Sequence, residues 1–262
     1  MLRDISILLP AGLALSLALM LVAWVMSRRM KNAGIVDVFW AGGFFPLVGV
    51  YAFFAGGDPS RRLLIAFMVS LWSLRLATHL YFRVTGSPRE DARYTRLREK
   101  WGPDANRKMF SFFLLQGVLQ TVLSIPFLVI CTNGTTPLKL IEWAGFIVWL
   151  GAFVGETVAD WQLSQFKSDP DHHGRICREG LWRFSRHPNY FFELMVWVGW
   201  FITGLTGWGG LAMIFAPLLM WHFLTKLTGI PATEEQAIRS KGEAYRRYQE
   251  TTNKFLPWFP RE

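Results

Sequence analysis

Runs of about twenty apolar residues recur along almost the whole chain, and few architectures can accommodate that pattern. About 20 helical residues cross the ~30 Å hydrocarbon core of a bilayer, where every backbone polar group must be satisfied within the segment. Seven such runs are legible, at 5–26, 35–55, 63–84, 110–131, 140–162, 189–206 and 210–228. They predict an all-α, polytopic integral membrane protein of seven transmembrane helices, forming a single membrane domain over 1–262. The first run leads into Ser27-Arg28-Arg29-Met30-Lys31 with no small-residue cleavage site, so it reads as a span and not as a signal peptide.

The formal net charge of +9 invites a nucleic-acid reading, but its distribution points elsewhere. Assigning loops to alternate sides of a seven-span topology puts 23 of the 28 Lys and Arg on one side and 4 on the other, with Arg75 inside a span. Positive charge stays cytoplasmic, so the N-terminus is expected outside and the C-terminus in the cytosol. Membrane lipids, not nucleic acid, are the expected partners of the surplus. For a bacterial chain the location would be the inner membrane, and a monomer is expected. Cys131 and Cys177 fall on opposite sides in this topology, and no Cys/His spacing resembles a metal site, so neither disulfide nor metal is expected.

Two charged segments carry helix-start signals. Ser87-Pro88-Arg89-Glu90 reads as a capping box, with a short helix to Arg98 or Lys100 that stops before Gly102-Pro103. Thr233-Glu234-Glu235-Gln236 repeats the device and predicts a cytosolic amphipathic helix over about 232–251. Phe255-Leu256-Pro257-Trp258-Phe259-Pro260 then reads as an interfacial anchor, since Trp favours the headgroup level. In the fifth run Gly151 and Gly155 have the spacing that lets helices approach closely.

The chemistry-bearing groups collect near the ends of the spans. Pro188 marks a helix start, and Asn189 and Glu193, four apart, share one face of that helix. Glu156 and Asp160 repeat that spacing toward the end of the fifth span, while Asp37, Arg75, His79 and His222 lie in others. Ionisable residues at this depth are expensive and usually functional, although interhelical salt bridges, such as Arg75 with Asp37, are the plain alternative. Lys167, Arg175, Arg178, Arg183, Arg186 and His187 line the adjoining loop, where guanidinium forks suit phosphate oxygens but equally satisfy a positive-inside bias. Acids beside bases suit a dinucleotide, yet no Gly-x-Gly-x-x-Gly follows a strand, so a Rossmann domain is not the means.

Four segments together resemble the membrane-embedded steroid 5α-reductase superfamily, in its bacterial branch often catalogued as a domain of unknown function. They are Gly34-Ile35-Val36-Asp37-Val38-Phe39-Trp40, Glu90-Asp91-Ala92-Arg93-Tyr94 with Lys100-Trp101-Gly102, Ser185-Arg186-His187-Pro188-Asn189-Tyr190 with Glu193, and the tail from Gly242 to Pro257. The resemblance implies a seven-helix fold, NADPH bound from the cytosolic side, and reduction of the carbon–carbon double bond of a lipophilic enone such as a 3-oxo-Δ4 steroid. Position by position it implies cofactor contacts at Asp160, Lys167, Arg175, Asn189 and Glu193, with Asn189 and Glu193 at the nicotinamide end. Arg186, His187, Tyr190 and Tyr245 are expected to join them, as is Glu156, which stands where the steroid enzymes carry an Asn. Asp37, Glu193 and Arg75 are the expected catalytic set: Arg75 matches an Arg of the family's third span, and Asp37 is placed near the substrate carbonyl, where as a donor it would need to be protonated. The chain departs from the steroid enzymes at their substrate-polarising Glu and Tyr, where it offers Asp37 or Trp40 and Trp72.

Two rivals compete. Isoprenylcysteine-type methyltransferases, which use S-adenosylmethionine, share the Arg-His-Pro-x-Tyr turn and a tail like Glu234-Glu235 with Gly242-Glu243-Ala244-Tyr245-Arg246-Arg247-Tyr248. A transporter or non-enzymatic membrane scaffold would bind no cofactor and tolerate substitution of Glu193.

Overall fold

The computed structural model describes residues 1–87, 90–207 and 209–261. All regular secondary structure among them is helical. Ten α-helices follow in order: α1 (Leu2–Met30), α2 (Ile35–Phe54), α3 (Pro59–Thr85), α4 (Ala92–Trp101), α5 (Ala105–Thr132), α6 (Leu140–Ser168), α7 (Pro188–Gly204), α8 (Phe215–His222), α9 (Ile230–Lys241) and α10 (Glu243–Thr251). Six helical stretches among the described residues are long and apolar enough to cross a membrane, not seven. The run at 189–206 is the one that drops out. It becomes the 17-residue α7, about 26 Å long at ~1.5 Å per residue, which falls short of the hydrocarbon thickness.

The chain divides into two compact units, Met1–Leu140 with Gly204–Met213, and Ile141–Thr203 with Ile214–Glu262. In the first, α1 packs on α2 and α5, and α2 packs on α3 and α5. Phe44, Trp72, Phe113 and Phe127 are fully buried between them. Polar groups within these helices find partners, as a medium without water requires. Pro46 lies inside α2, and one turn of backbone beside it is bridged by Ser73, whose Oγ donates to Ala41 O (2.6 Å) and accepts from Phe45 N–H (3.1 Å). The Gln120 amide donates to Trp40 O (2.5 Å), and it lies where a Cβ at position 43 would be 2.4 Å from Nε2. Only glycine leaves that space open.

In the second unit α6 and α7 run antiparallel and almost touch. A Cβ at Gly145 would lie 2.4 Å from Thr203 Oγ1, at Gly199 2.7 Å from Trp149 Cβ, and at Gly155 2.5 Å from the Phe192 ring. Gly155 is thus a close-approach glycine, as its spacing suggested, but its expected companion Gly151 faces open space. The role passes to Gly145 and Gly199.

Both helix-start readings shift. Pro88 and Arg89, on which the first capping box rests, lie outside the described residues. The helix that follows starts at Ala92 and is capped by Asp91, whose carboxylate accepts from Arg93 N–H. The second box does not cap. α9 begins at Ile230, with Pro231 in its first turn, and Thr233 Oγ1 bonds back to Gly229 O. The helix expected over 232–251 is two, broken at Gly242, whose φ of 54° suits a residue without a Cβ.

Candidate functional site

The helix start at Pro188 stands as the proline predicted, and the turn before it is held by several hydrogen bonds. Ser185 Oγ accepts from His187 N–H and donates to Phe255 O (2.9 Å), tying the turn to the tail. Arg186, 8% exposed, reaches three acceptors. Its Nε donates to Glu234 Oε1 (2.8 Å), and one terminal nitrogen donates to Gln249 O (2.9 Å) and Thr252 O (2.6 Å). Its own backbone N–H meets Asn253 O. His187 Nε2 lies 3.3 Å from the same Glu234 oxygen, and Gln249 Nε2 donates to the other. Burial lowers the imidazole pKa below its ordinary value, while the hydrogen bond to Glu234 opposes that shift. The His187 ring stacks on Tyr190, whose hydroxyl lies 3.2 Å from Thr233 Oγ1. Burial, with the Glu234 charge adding to it, pushes the Tyr245 phenol up.

Arg186 was expected at a ligand phosphate. It instead fastens residues 249–253 to the start of α7, because a buried guanidinium must have its donors matched within the protein. Glu234 was read as part of a helix cap and is the counter-ion of this clasp. Nothing local in the sequence marks Glu234, Gln249 or Thr252 as partners of a residue 48 to 66 positions earlier.

One turn further, the α6–α7 wall carries the acids. Asn189 Nδ2 donates to Asp160 Oδ1 (3.1 Å), and Asn189 Oδ1 accepts from Tyr190 N–H. Glu193 Oε1 accepts from the Trp197 indole N–H (2.9 Å), a buried partner that sequence reading missed although it lies four residues on. The register set by the Gly199–Trp149, Gly155–Phe192 and Asp160–Asn189 contacts puts Glu156 and Glu193 at one level of the helix pair. Glu156, Asp160 and Glu193 are all buried. The structure therefore brings together four of the residues singled out from the sequence. Their oxygens and amide can accept from, and donate to, hydroxyl and amide groups of a ligand.

The bases lie beyond the end of this wall. Lys167 and Arg175 are exposed, the first in the last turn of α6 and the second in the loop that follows. Near them Cys177 is buried, and burial pushes its thiol up against the opposing charges of Lys241 and Lys167. A cleft of about 470 Å³ opens at this end of α6, lined in part by Trp161, Gln162, Phe166, Asp169, His172 and Glu179. The carboxylates Asp169 and Glu179 make it a poor seat for phosphate.

Asp37 and Arg75 belong to the other unit. Asp37 Oδ2 accepts from Arg93 (2.7 Å) and Arg83 (3.3 Å), and Oδ1 accepts from the Tyr94 hydroxyl (2.6 Å). The neutral donor role expected of Asp37 is not served by a side chain whose two oxygens both accept. The plain alternative of a salt bridge was right in kind for Asp37, but with Arg93 and Arg83. The neighbouring Glu90 accepts from Ala33 N–H and Arg98, closing the same end of the unit.

The observed class is an all-helical protein with several helices able to cross a membrane. More particularly, the chain belongs to the family described as "Protein of unknown function (DUF1295)", which matches residues 23–252. It is similar to "Uncharacterized protein C594.04c" of Schizosaccharomyces pombe, with 28% identity over 284 residues that cover 94% of this chain and 78% of that one. No solved structure matches the chain.

Proposed function

We propose that this chain is a membrane-embedded reductase that uses NADPH to reduce the carbon–carbon double bond of a lipophilic enone, in the manner of the steroid 5α-reductases. The observation that carries the reading is the Asp160–Asn189 pair, flanked by Glu156 and Glu193, on a wall that two close-packed helices keep out of water. The donor set fits a dinucleotide. Buried carboxylates take ribose hydroxyls and a carboxamide N–H, while Lys167 and Arg175 supply cations for phosphate. Arg186 leaves the phosphate set and becomes a positioning residue, since it holds the turn from which Asn189 and Glu193 project. NADPH, when bound, would supply the hydride; the chain supplies orientation and a low-dielectric surround. Trp197 fixes the Glu193 carboxylate, and Asp160 fixes the Asn189 amide, so both present a set geometry before a ligand arrives. Asp37 is left out as proton donor, and the proposal assigns that role to no residue.

A second reading has its own support. The Arg186–His187–Glu234 cluster joins the two segments shared with isoprenylcysteine-type methyltransferases, which would bind S-adenosylmethionine. Thermal shift of the detergent-purified protein with NADPH, NADH or S-adenosylmethionine separates the two. Stabilisation by NADPH that Asn189→Ala abolishes supports the reductase and justifies assaying lipophilic enones. Stabilisation by S-adenosylmethionine alone moves the assignment to methyl transfer, and no shift with any of them sinks both.

A further inference from the structure

The C-terminal tail combines a fixed backbone with large apolar side chains that stand mostly exposed among the described residues. Arg186 N–H and its guanidinium hold Asn253 O and Thr252 O, Ser185 Oγ holds Phe255 O, Trp258 N–H donates to Phe184 O (2.9 Å), and Arg261 N–H donates to Thr251 O (2.8 Å). The Phe255 ring packs against Phe191, and Phe259 meets Phe184 edge-on at 5.8 Å. Pro257 and Pro260 keep the segment from continuing as helix. Yet Leu256 is 64% exposed, Trp258 68% and Phe259 72%. Flexible tails often expose apolar groups, but this one is pinned at five backbone positions and presents three in a row of four residues. Such a patch marks an interaction surface.

Charge identifies the partner. On α10 the bases Arg246 and Arg247 are balanced by Glu243 and Glu250. Around the patch the exposed bases are Arg183, Lys254 and Arg261, set against Glu262, which lies outside the described residues. Trp and Phe beside Lys and Arg match the chemistry of a headgroup layer, where the rings sit at the interface and the cations meet phosphate. The six apolar helices supply a bilayer for the tail to meet.

We infer that residues 254–261, together with Arg183, form a docking surface for the anionic headgroup layer of a lipid bilayer, and that this contact shares its backbone with the Arg186 clasp. This inference stands independently of the proposed reductase activity.

A nitroxide at Phe259→Cys tests it in the full-length protein, because Cys131 and Cys177 are buried and label poorly. The protein is reconstituted in nanodiscs of phosphatidylcholine alone and of phosphatidylcholine with phosphatidylglycerol. Collision rates with oxygen and with a water-soluble nickel chelate are then measured by electron paramagnetic resonance. The expected result is an oxygen-to-nickel ratio several-fold above that of free label in water, rising with phosphatidylglycerol. A ratio equal to that of free label in the mixed nanodisc overturns the inference. Leu256→Cys, at a position also mostly exposed, repeats the measurement if the first variant is poorly folded.

Discussion

In each unit a guanidinium–carboxylate clasp joins segments far apart in sequence, and the two differ in depth. Arg93 and Asp37 are 33% and 21% exposed; Arg186 and Glu234 are 8% and 13% exposed. Asp37 gathers two guanidiniums and a phenol at the edge of its unit, where water shares the load. Arg186 gathers a carboxylate and two carbonyls out of water, where removing one partner strands the others. The α6–α7 acids make a third arrangement, in which Asp160 and Glu193 are met by an amide and an indole. The lesson is that depth and the chemistry of the partner, more than the presence of an ion pair, separate a brace from a candidate ligand site.

The largest effect should come from breaking the buried clasp. Arg186→Ala is expected to destabilise by about 3–5 kcal/mol, the range for leaving one member of a buried pair alone. Arg186→Lys should rescue little, because an ammonium cannot reproduce the fork that spans three acceptors. Thermal melting in detergent measures both, and wild-type melting of the alanine variant would remove the clasp from the account.

Next comes the wall. Glu193→Gln keeps shape and an acceptor for the Trp197 indole, so melting should stay near wild type while NADPH affinity falls about tenfold, a loss of ~1.4 kcal/mol. Unchanged NADPH affinity and turnover would make Glu193 structural, like the acids of the clasps.

Asp37→Asn tests the shallower clasp. The amide oxygen can still accept from Tyr94, and the lost charge is partly screened, so a cost of about 1 kcal/mol is expected, with NADPH affinity unchanged. A cost matching that of Arg186→Ala would erase the contrast between the two units.

The smallest effect is a pH dependence. Burial depresses the folded-state pKa of His187 below the ordinary 6.5, so the unfolded chain binds the proton more readily. The contribution is therefore complete above pH 6.5 and is lost as pH falls from there through the depressed folded value. Melting temperature should decline over that window in wild type, and by less in His187→Gln. Identical slopes would show that the ring carries no part of it.

Much of the fold was legible because hydrocarbon thickness is a strong ruler. Six of the seven runs correspond to stretches able to cross a membrane, and Pro188 marked its helix start to the residue. The run at 189–206 misled because apolar composition continues past the point where α7 stops, at Gly204. The Asn189, Glu193, Glu156 and Asp160 spacings were visible as helical periods of four. Trp197 was equally visible by that rule, but reads as core until its indole is seen on Glu193. The partners of Arg186 and Asp37 were illegible for one reason. A charge in a chain announces itself, whereas the group that neutralises it depends on packing between segments 48 or 56 residues apart.

What the sequence determined by itself is the kind of molecule, since apolar length, proline and glycine act through local geometry and through the bilayer's fixed thickness. The tertiary structure decided which charges brace distant segments and which gather between α6 and α7. That outcome rests on a pairing energy that exists only when distant side chains meet at the right depth, and no local window of residues contains it.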